Sequence, residues 1–154
     1  NYVVNYHHCT YCQHCVKVCP TGAVVMDDHR FDDFQAGMAL ATKTVVDTFA
    51  KGHVYYINFL TNITALCDCW GLSTPSLVPD IGIMSSWDMV ALERATVDAI
   101  RVENLLSNGV PTGVELGEEG HLFQRLHGRD PFVQISKLEE VGLGTQSYQL
   151  FEIH

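Results

Sequence analysis

The sequence predicts a fold of intermingled helices and strands, of the α/β or α+β class, in which a mixed sheet is flanked by helices. Apolar residues recur at helical spacing in several stretches, and short runs rich in β-branched and aromatic residues lie between them. The chain has 154 residues, of which 47% are hydrophobic and 18% charged, the composition of a globular protein that can bury a core. We therefore expect the helices and strands to pack into one compact unit.

The first long helix is predicted between Asp32 or Asp33, either of which can cap it, and Gly52, which is placed to end it. An apolar stripe of this kind is core packing in nearly every such helix, so we assign it no chemistry. Residues 21–26 before the helix and 54–60 after it are predicted strands, and the second run is nearly continuous in hydrophobicity, as buried strands are. The members of the stripe are Phe34, Met38, Ala41, Val45 and Phe49.

A long irregular segment covers residues 61–79 and carries Cys67 and Cys69. A loop of this length inside a compact domain is usually functional. Residues 80–84 after it read as another short strand.

The second half of the chain predicts further helices. One begins at Ser85, Ser86 or Asp88, any of which can cap it, and it ends at Asn108 and Gly109. Its apolar stripe consists of Leu92, Ala95, Ala99, Val102 and Leu106.

The C-terminal part is predicted as two helices and a strand. A short helix covers residues 122–126, and Asp130 and Pro131 are the cap and first-turn proline of another helix, which Gly142 ends. Alternating apolar residues at 148–153 then predict a final strand.

Composition excludes several classes of function. The net charge of -9 repels phosphates, so nucleic acid is not an expected partner, and no apolar stretch approaches the length that crosses a bilayer. No export signal is visible, and four of the six cysteines crowd into residues 9–19, where disulphide geometry would be strained. We therefore expect a soluble protein in a reducing, cytoplasmic compartment. Because the chain starts at Asn1 rather than Met, we also expect it to begin inside a longer or processed polypeptide.

The clustered cysteines are Cys9, Cys12, Cys15 and Cys19, and Pro20 follows the last of them. The spacing C-x2-C-x2-C-x3-C-P is that of bacterial-type ferredoxins. Two-residue gaps let the chain curl around a cubane so that three thiolates reach three irons, while backbone N–H groups of the same loop point at the sulphides. A structural zinc site prefers two separated pairs of ligands. The motif therefore predicts a ferredoxin-like loop that holds a [4Fe–4S] cluster.

The fourth ligand of that cluster stays open at the level of sequence. In two-cluster ferredoxins the last cysteine of each run ligates the other cluster, and here the run occurs once. Three arrangements are compatible with the cysteines: one cluster on the four clustered residues; one cluster on the first three with Cys67 or Cys69; or two clusters, the second using Cys19, Cys67 and Cys69 with a fourth ligand that is not a cysteine or comes from a missing segment. His7, His8 and His14 flank the motif and are interpreted as solvated or surrounding residues rather than ligands.

Several short runs outside the motif carry a wider resemblance: Phe34-Gln35-x-x-Met38, residues 56–64 leading to Cys67-Asp68-Cys69-Trp70, Val78-Pro79-Asp80-Ile81-Gly82-Ile83, Asp88-x-Val90-Ala91-Leu92, Leu126-His127-Gly128-x-Asp130-Pro131 and Gly142-Leu143-Gly144-x-x-x-Tyr148. Together they resemble the iron–sulphur centre proteins classed as domain of unknown function 362. The resemblance implies a [4Fe–4S] protein, and it implies a further N-terminal half that would partner the present chain.

These observations divide the chain into a cluster-binding segment, residues 1–30, and an α/β domain, residues 31–154, packed together. The function they favour is electron transfer to redox partner proteins through one or two [4Fe–4S] clusters. One alternative is a redox enzyme that uses the cluster near Cys67 to Trp70, where Asp80, Asp88 and His127 would be the acid–base candidates. The weakest alternative is a zinc-stabilised binding module.

Overall fold

The computed structural model describes residues 14–25, 29–67 and 73–153. The chain divides into two compact units, Asn1–Phe31 and Asp32–His154. That residues 1–30 and 31–154 pack together as one unit stays a prediction. In the first unit the described residues include one short helix, α1 (His14–Lys17).

The helix α2 (His29–Val46) begins earlier than predicted, so Asp32 lies in its first turn and does not cap it. Its predicted core stripe is wrong, because the large members of the stripe, such as Phe34 and Phe49, are exposed. The side chain of α2 that enters the core is Ala39, which packs with residues of two later helices. Because α2 has apolar residues on more than one side, its sequence offers two faces that could pack in the core. The face with the small residue Ala39 is the one that allows close packing with the later helices.

In the described parts of the chain two strands form the sheet: β1 (Tyr56–Leu60) and β2 (Gly82–Ser86). They pair antiparallel, with Phe59 opposite Ile83 and Ile57 opposite Ser85. The strand β1 was expected to be buried on both sides, and this is wrong, since Ile57 and Phe59 point to an exposed face. The other face packs on the helix that follows.

That helix is α3 (Met89–Ala99), and Asp88 caps it, because a carboxylate oxygen of Asp88 accepts a hydrogen bond from the backbone N–H of Ala91 at 3.0 Å. It is shorter than predicted. The backbone leaves the helix at Ile100, and a 3₁₀ turn (Val102–Asn104) follows. The apolar periodicity continues past the helix because the turn residues still pack on the core.

Two helices complete the fold, α4 (Leu122–His127) and α5 (Phe132–Glu140). Gly142 has a positive φ just after α5, as the sequence predicts, whereas the cap of α5 is Pro131 rather than Asp130. Asp130 lies one residue earlier and accepts a hydrogen bond from the backbone N–H of Phe132 at 2.9 Å. The predicted strand at 148–153 is wrong, because these residues are exposed and pair with no strand. Residues 21–25 are not a strand either, and Met26 lies outside the described residues.

Among the residues that the structure describes in the second unit, buried apolar side chains form two clusters. One joins the irregular segment to α4 and consists of Ala65, Leu77, Val78, Ile100 and Leu122. The other joins α2, α3 and α5 and consists of Ala39, Val90, Ile135 and Leu138. Helices and a two-stranded antiparallel sheet in one chain confirm the α+β class. None of the helices in the described parts of the chain is long and apolar enough to cross a membrane.

Candidate iron–sulphur centre

The single turn of α1 positions two of the clustered cysteines. Cys15 lies within the turn and is exposed, and Cys19 follows two residues after its end. The turn is closed by hydrogen bonds from Val18 N–H to the His14 carbonyl at 3.0 Å and from Cys19 N–H to the Val16 carbonyl at 3.3 Å. Four residues are too few for a stable helix in isolation, so tertiary or cofactor contacts have to hold this turn.

The chain turns sharply after Cys19, in the segment Pro20 to Gly22. Gly22 has a φ of 65°, in the left-handed region that glycine adopts without steric cost, and its N–H bonds to the Cys19 carbonyl at 3.3 Å. The proline cannot continue the preceding turn in helical form. As a result residues 21–24 fold back over the sulphur of Cys19.

Several hydrogen-bond donors surround that sulphur. Thr21 Oγ1 lies 3.6 Å from Cys19 Sγ. This hydroxyl, followed by the backbone N–H groups of Val24, Thr21 and Ala23, lowers the pKa of the Cys19 thiol to about 7. Donors that stabilise a free thiolate also stabilise a thiolate bound to iron, since both carry negative charge on sulphur. The donor set around Cys19 therefore fits an iron–sulphur ligand.

Cys67 lies in the second unit, on an irregular segment whose two ends are fastened together. Thr64 and Ser76 form an isolated antiparallel bridge, and Leu77 N–H donates to the Ile63 carbonyl at 2.7 Å. Between these points Ala65 is buried, and its N–H donates to Thr74 Oγ1 at 3.2 Å. We call residues 64–76 the cysteine loop. Cys67 is exposed on it.

The α4 helix contacts the cysteine loop through a hydrogen bond. His127 Nε2 lies 2.8 Å from the Ala65 carbonyl and donates to it in the matching tautomer. Burial of the imidazole lowers the pKa of His127 more than this hydrogen bond raises it, and Arg129 lowers the pKa further. The sequence offered His127 as an acid–base candidate, whereas the structure places it in a contact that positions the cysteine loop.

The other two acid–base candidates also have structural contacts. Asp80 accepts a hydrogen bond from Asn62 N–H at 2.9 Å, which supports the positive φ of 50° at Asn62. Asp88 caps α3 and accepts from Thr145 N–H at 3.0 Å. These contacts give each carboxylate a role in folding.

The remaining predicted site residues, Cys9, Cys12 and Cys69, lie outside the described residues, as do His7 and His8. Within residues 14–25, 29–67 and 73–153, no three His, Cys, Asp or Glu side chains gather into a group that could hold a metal ion. His14 is exposed at the start of α1. The structure thus places Cys15 and Cys19 on one turn and Cys67 on a separate, fastened loop.

Residues 2–25 match the family model of the 4Fe-4S binding domain. The cofactor is a [4Fe–4S] cluster. The match spans the whole cysteine motif, from before Cys9 to the donor segment after Cys19. No curated protein and no solved structure matches the chain.

Sequence reasoning identified the loop N–H groups as donors but missed the Thr21 hydroxyl. The signal was present in the residues after the motif, Cys19-Pro20-Thr21-Gly22, because a hydroxyl two residues after a cysteine in a tight turn can reach its sulphur. The role of His127 left no signal in the sequence, since its partner Ala65 is distant along the chain and contributes a backbone carbonyl.

Proposed function

We propose that this iron–sulphur protein is an electron-transfer module that docks with redox partner proteins. The observation that carries the proposal is the cysteine motif within a matched 4Fe-4S binding domain, together with the hydrogen-bond donors around Cys19. A bound [4Fe–4S] cluster supplies one-electron transfer. The chain contributes thiolate ligands and the N–H and O–H groups that stabilise their charge.

Three ligands are proposed in every arrangement: Cys9, Cys12 and Cys15. In two of the three arrangements Cys19 supplies a further thiolate, either to the same cluster or to a second one. Cys67 and Cys69 are the alternative source of the fourth ligand. The fastened ends of the cysteine loop support this alternative, because a ligand loop has to hold its thiolate in a fixed position.

Single replacements separate these arrangements when iron is counted in protein purified without oxygen. One cluster on the motif gives about four irons per chain, lost in Cys19→Ala and kept in Cys67→Ala and Cys69→Ala. One cluster with a ligand from the cysteine loop also gives about four irons per chain. These irons are then kept in Cys19→Ala and lost in either Cys67→Ala or Cys69→Ala. Two clusters give about eight irons, and replacement of Cys19 then removes about half of them.

Electron transfer itself is tested by reduction and reoxidation. The dithionite-reduced protein, mixed with a one-electron acceptor dye in a stopped-flow instrument, should deliver about one electron per cluster. A cluster that cannot be reduced, or that reduces and then fails to pass its electron to any acceptor, contradicts the proposal. The acidic surface, with a net charge of -9, favours basic docking patches on the partner, so high salt should slow transfer to a basic protein acceptor.

The proposal extends to the resemblance with the iron–sulphur centre proteins classed as domain of unknown function 362. It rests on the runs quoted above, among them Cys67-Asp68-Cys69-Trp70 and the Leu126-His127-Gly128 run. The hydrogen bond between His127 and the Ala65 carbonyl joins the Leu126-His127-Gly128 run to the loop that carries Cys67. We further propose a reducing, cytoplasmic location, in which the clustered thiols stay available for iron.

A further inference from the structure

One face of the sheet has no packing partner among the described residues. Along β1, β2 and the residues just beyond their ends the side chains alternate, and one set faces α3, where Asn58 donates hydrogen bonds to Glu93 and Thr96. The other set is exposed and apolar. Its members and their exposed fractions are Tyr55 46%, Ile57 51%, Phe59 68%, Ile81 37%, Ile83 65% and Trp87 68%. We call these residues, with Ser85, the outer sheet face.

The outer sheet face is suited to a dry contact. None of its seven members carries a charge. The hydroxyl donor of Tyr55 is already paired within the face, since it donates to Ser85 Oγ at 2.7 Å. Tyr55 and Trp87 also pack edge to face, with ring centroids 4.6 Å apart. Removing water from this surface therefore leaves few polar groups without a partner.

The exposed area of the face fits a protein interface. A fully exposed aromatic side chain offers roughly 150–250 Å², so the six apolar members together expose about 600 Å². Two such faces bury about 1,200 Å² in total, the lower end of the range for specific protein interfaces. A two-stranded ribbon is also marginally stable on its own, and it gains support when its second face is covered.

We propose that the outer sheet face binds the same face of a second copy of this chain. Two identical uncharged faces can meet without bringing like charges into contact. Contact through other surfaces of a chain with a net charge of -9 would bring negative charges together. The contact is isologous, so each ribbon becomes one layer of a two-layer sandwich with sheets about 10 Å apart. Phe59 and Ile83, directly opposite each other in the pairing, form its apolar centre.

Sedimentation velocity of the cluster-loaded chain at about 1–100 μM tests the contact. The unmodified chain should sediment as a dimer at the upper concentrations. The double variant Phe59→Thr, Ile83→Thr keeps β-branched residues in the strands and should be monomeric there, with the dimer Kd raised at least about 100-fold. Phe49→Thr is the matched control, because Phe49 is 55% exposed but lies outside the face, and this variant should stay dimeric.

Three results would overturn the proposal: a monomeric unmodified chain at every concentration, a dimeric double variant, or a monomeric Phe49→Thr variant. A monomeric unmodified chain would mean that a different protein, or nothing, covers the face. Iron content and circular dichroism are measured on the same samples, so loss of the cluster or of the fold is distinguished from loss of the contact.

Trp87 fluorescence gives a second measurement that does not depend on the double variant. In a Trp70→Phe chain the emission comes from Trp87, which is 68% exposed in the single chain. The emission maximum should move to shorter wavelength as the protein concentration rises. The concentration at half of this shift should equal the midpoint of dimerisation measured by sedimentation. An emission maximum that stays constant across the dimerisation range contradicts a contact at this face.

Discussion

Thr21 contributes most to the acidity of Cys19. Its hydroxyl has the largest effect among the hydrogen-bonding groups that lower the pKa of that thiol to about 7, and the backbone N–H groups of Val24, Thr21 and Ala23 follow. The contact joins residues two apart in a turn, so it forms wherever the turn forms. A side chain that stabilises negative charge on a ligand sulphur also influences the electronic properties of the iron it binds.

Replacement of Thr21 by valine should raise the pKa of Cys19 in the cluster-free chain. Valine keeps the shape of threonine but lacks the donor, whereas Thr21→Ser keeps the donor and should behave like the unmodified chain. The rate of alkylation of Cys19 by iodoacetamide, followed by peptide mass spectrometry, should be half-maximal near pH 7 in the unmodified chain and at higher pH in Thr21→Val. Equal midpoints in Thr21→Val and Thr21→Ser would show that the hydroxyl does not act on the thiol.

The backbone of Gly144 lies close against the Asp88 carboxylate. Gly144 has a φ of 156°, and a Cβ atom at this position would collide with the Asp88 carboxylate. That carboxylate caps α3 through one oxygen and accepts from Thr145 N–H through the other. The glycine therefore allows one aspartate to tie the segment after α5 to the start of α3.

Gly144→Ala should lower the free energy of unfolding by about 1–3 kcal/mol, because both the backbone conformation and the space disfavour a side chain. The matched control is Gly37→Ala inside α2, where a Cβ meets nothing within 4 Å; it should raise stability by about 0.5–1 kcal/mol. Urea denaturation measures both. A Gly144→Ala chain as stable as the unmodified one would mean that the Asp88 contact is absent in solution.

At the level of elements, the cysteine loop is held by its own bridge and by α4. The hydrogen bond from His127 to the Ala65 carbonyl is the link between the two. Burial lowers the pKa of His127 from its usual value of 6.5, so the unfolded chain binds more protons than the folded chain between the lowered pKa and 6.5. The contribution of His127 to the free energy of unfolding is fully present above pH 6.5 and is lost as the pH falls through the lowered pKa.

When the pH is lowered from about 7.5 to 5, the urea concentration at the unfolding midpoint of the unmodified chain should decrease. The decrease should be smaller in His127→Gln, because glutamine retains a hydrogen-bond donor but does not titrate in this range. His53→Gln, at an exposed position before β1, is the control and should keep the full dependence. Hydrogen exchange at residues 64–67 should quicken at low pH in the unmodified chain. The same pH profile in His127→Gln and the unmodified chain would contradict this account.

The elements that the sequence predicted best are those with local end signals. Asp88 as the cap of α3 and Gly142 as the end of α5 depend on neighbouring residues, and both are confirmed. The errors arose where an apolar pattern was read as burial. The segments containing Phe34 and Phe59 are a helix and a strand as predicted, yet the face that packs depends on distant residues that a local pattern does not contain.

At the scale of the whole molecule, the cofactor was predictable from the sequence because the cysteines of the motif lie close together in the chain. The motif ending in Cys19 has a spacing that iron–sulphur geometry dictates, and the family match to residues 2–25 supports it. The position of Cys67 on a fastened loop was not predictable, since the bridge from Thr64 to Ser76 and the contact from α4 join residues that are separated along the chain.

The count of iron and acid-labile sulphide, combined with EPR after reduction, tests the central claim most directly. Protein purified without oxygen should contain iron and sulphide in equal amounts, about four of each per cluster, and should give the signal of a reduced cubane. The Cys9→Ala variant should lose both the sulphide and the signal. Zinc in place of iron, with no acid-labile sulphide in protein that has never met oxygen, would contradict the account.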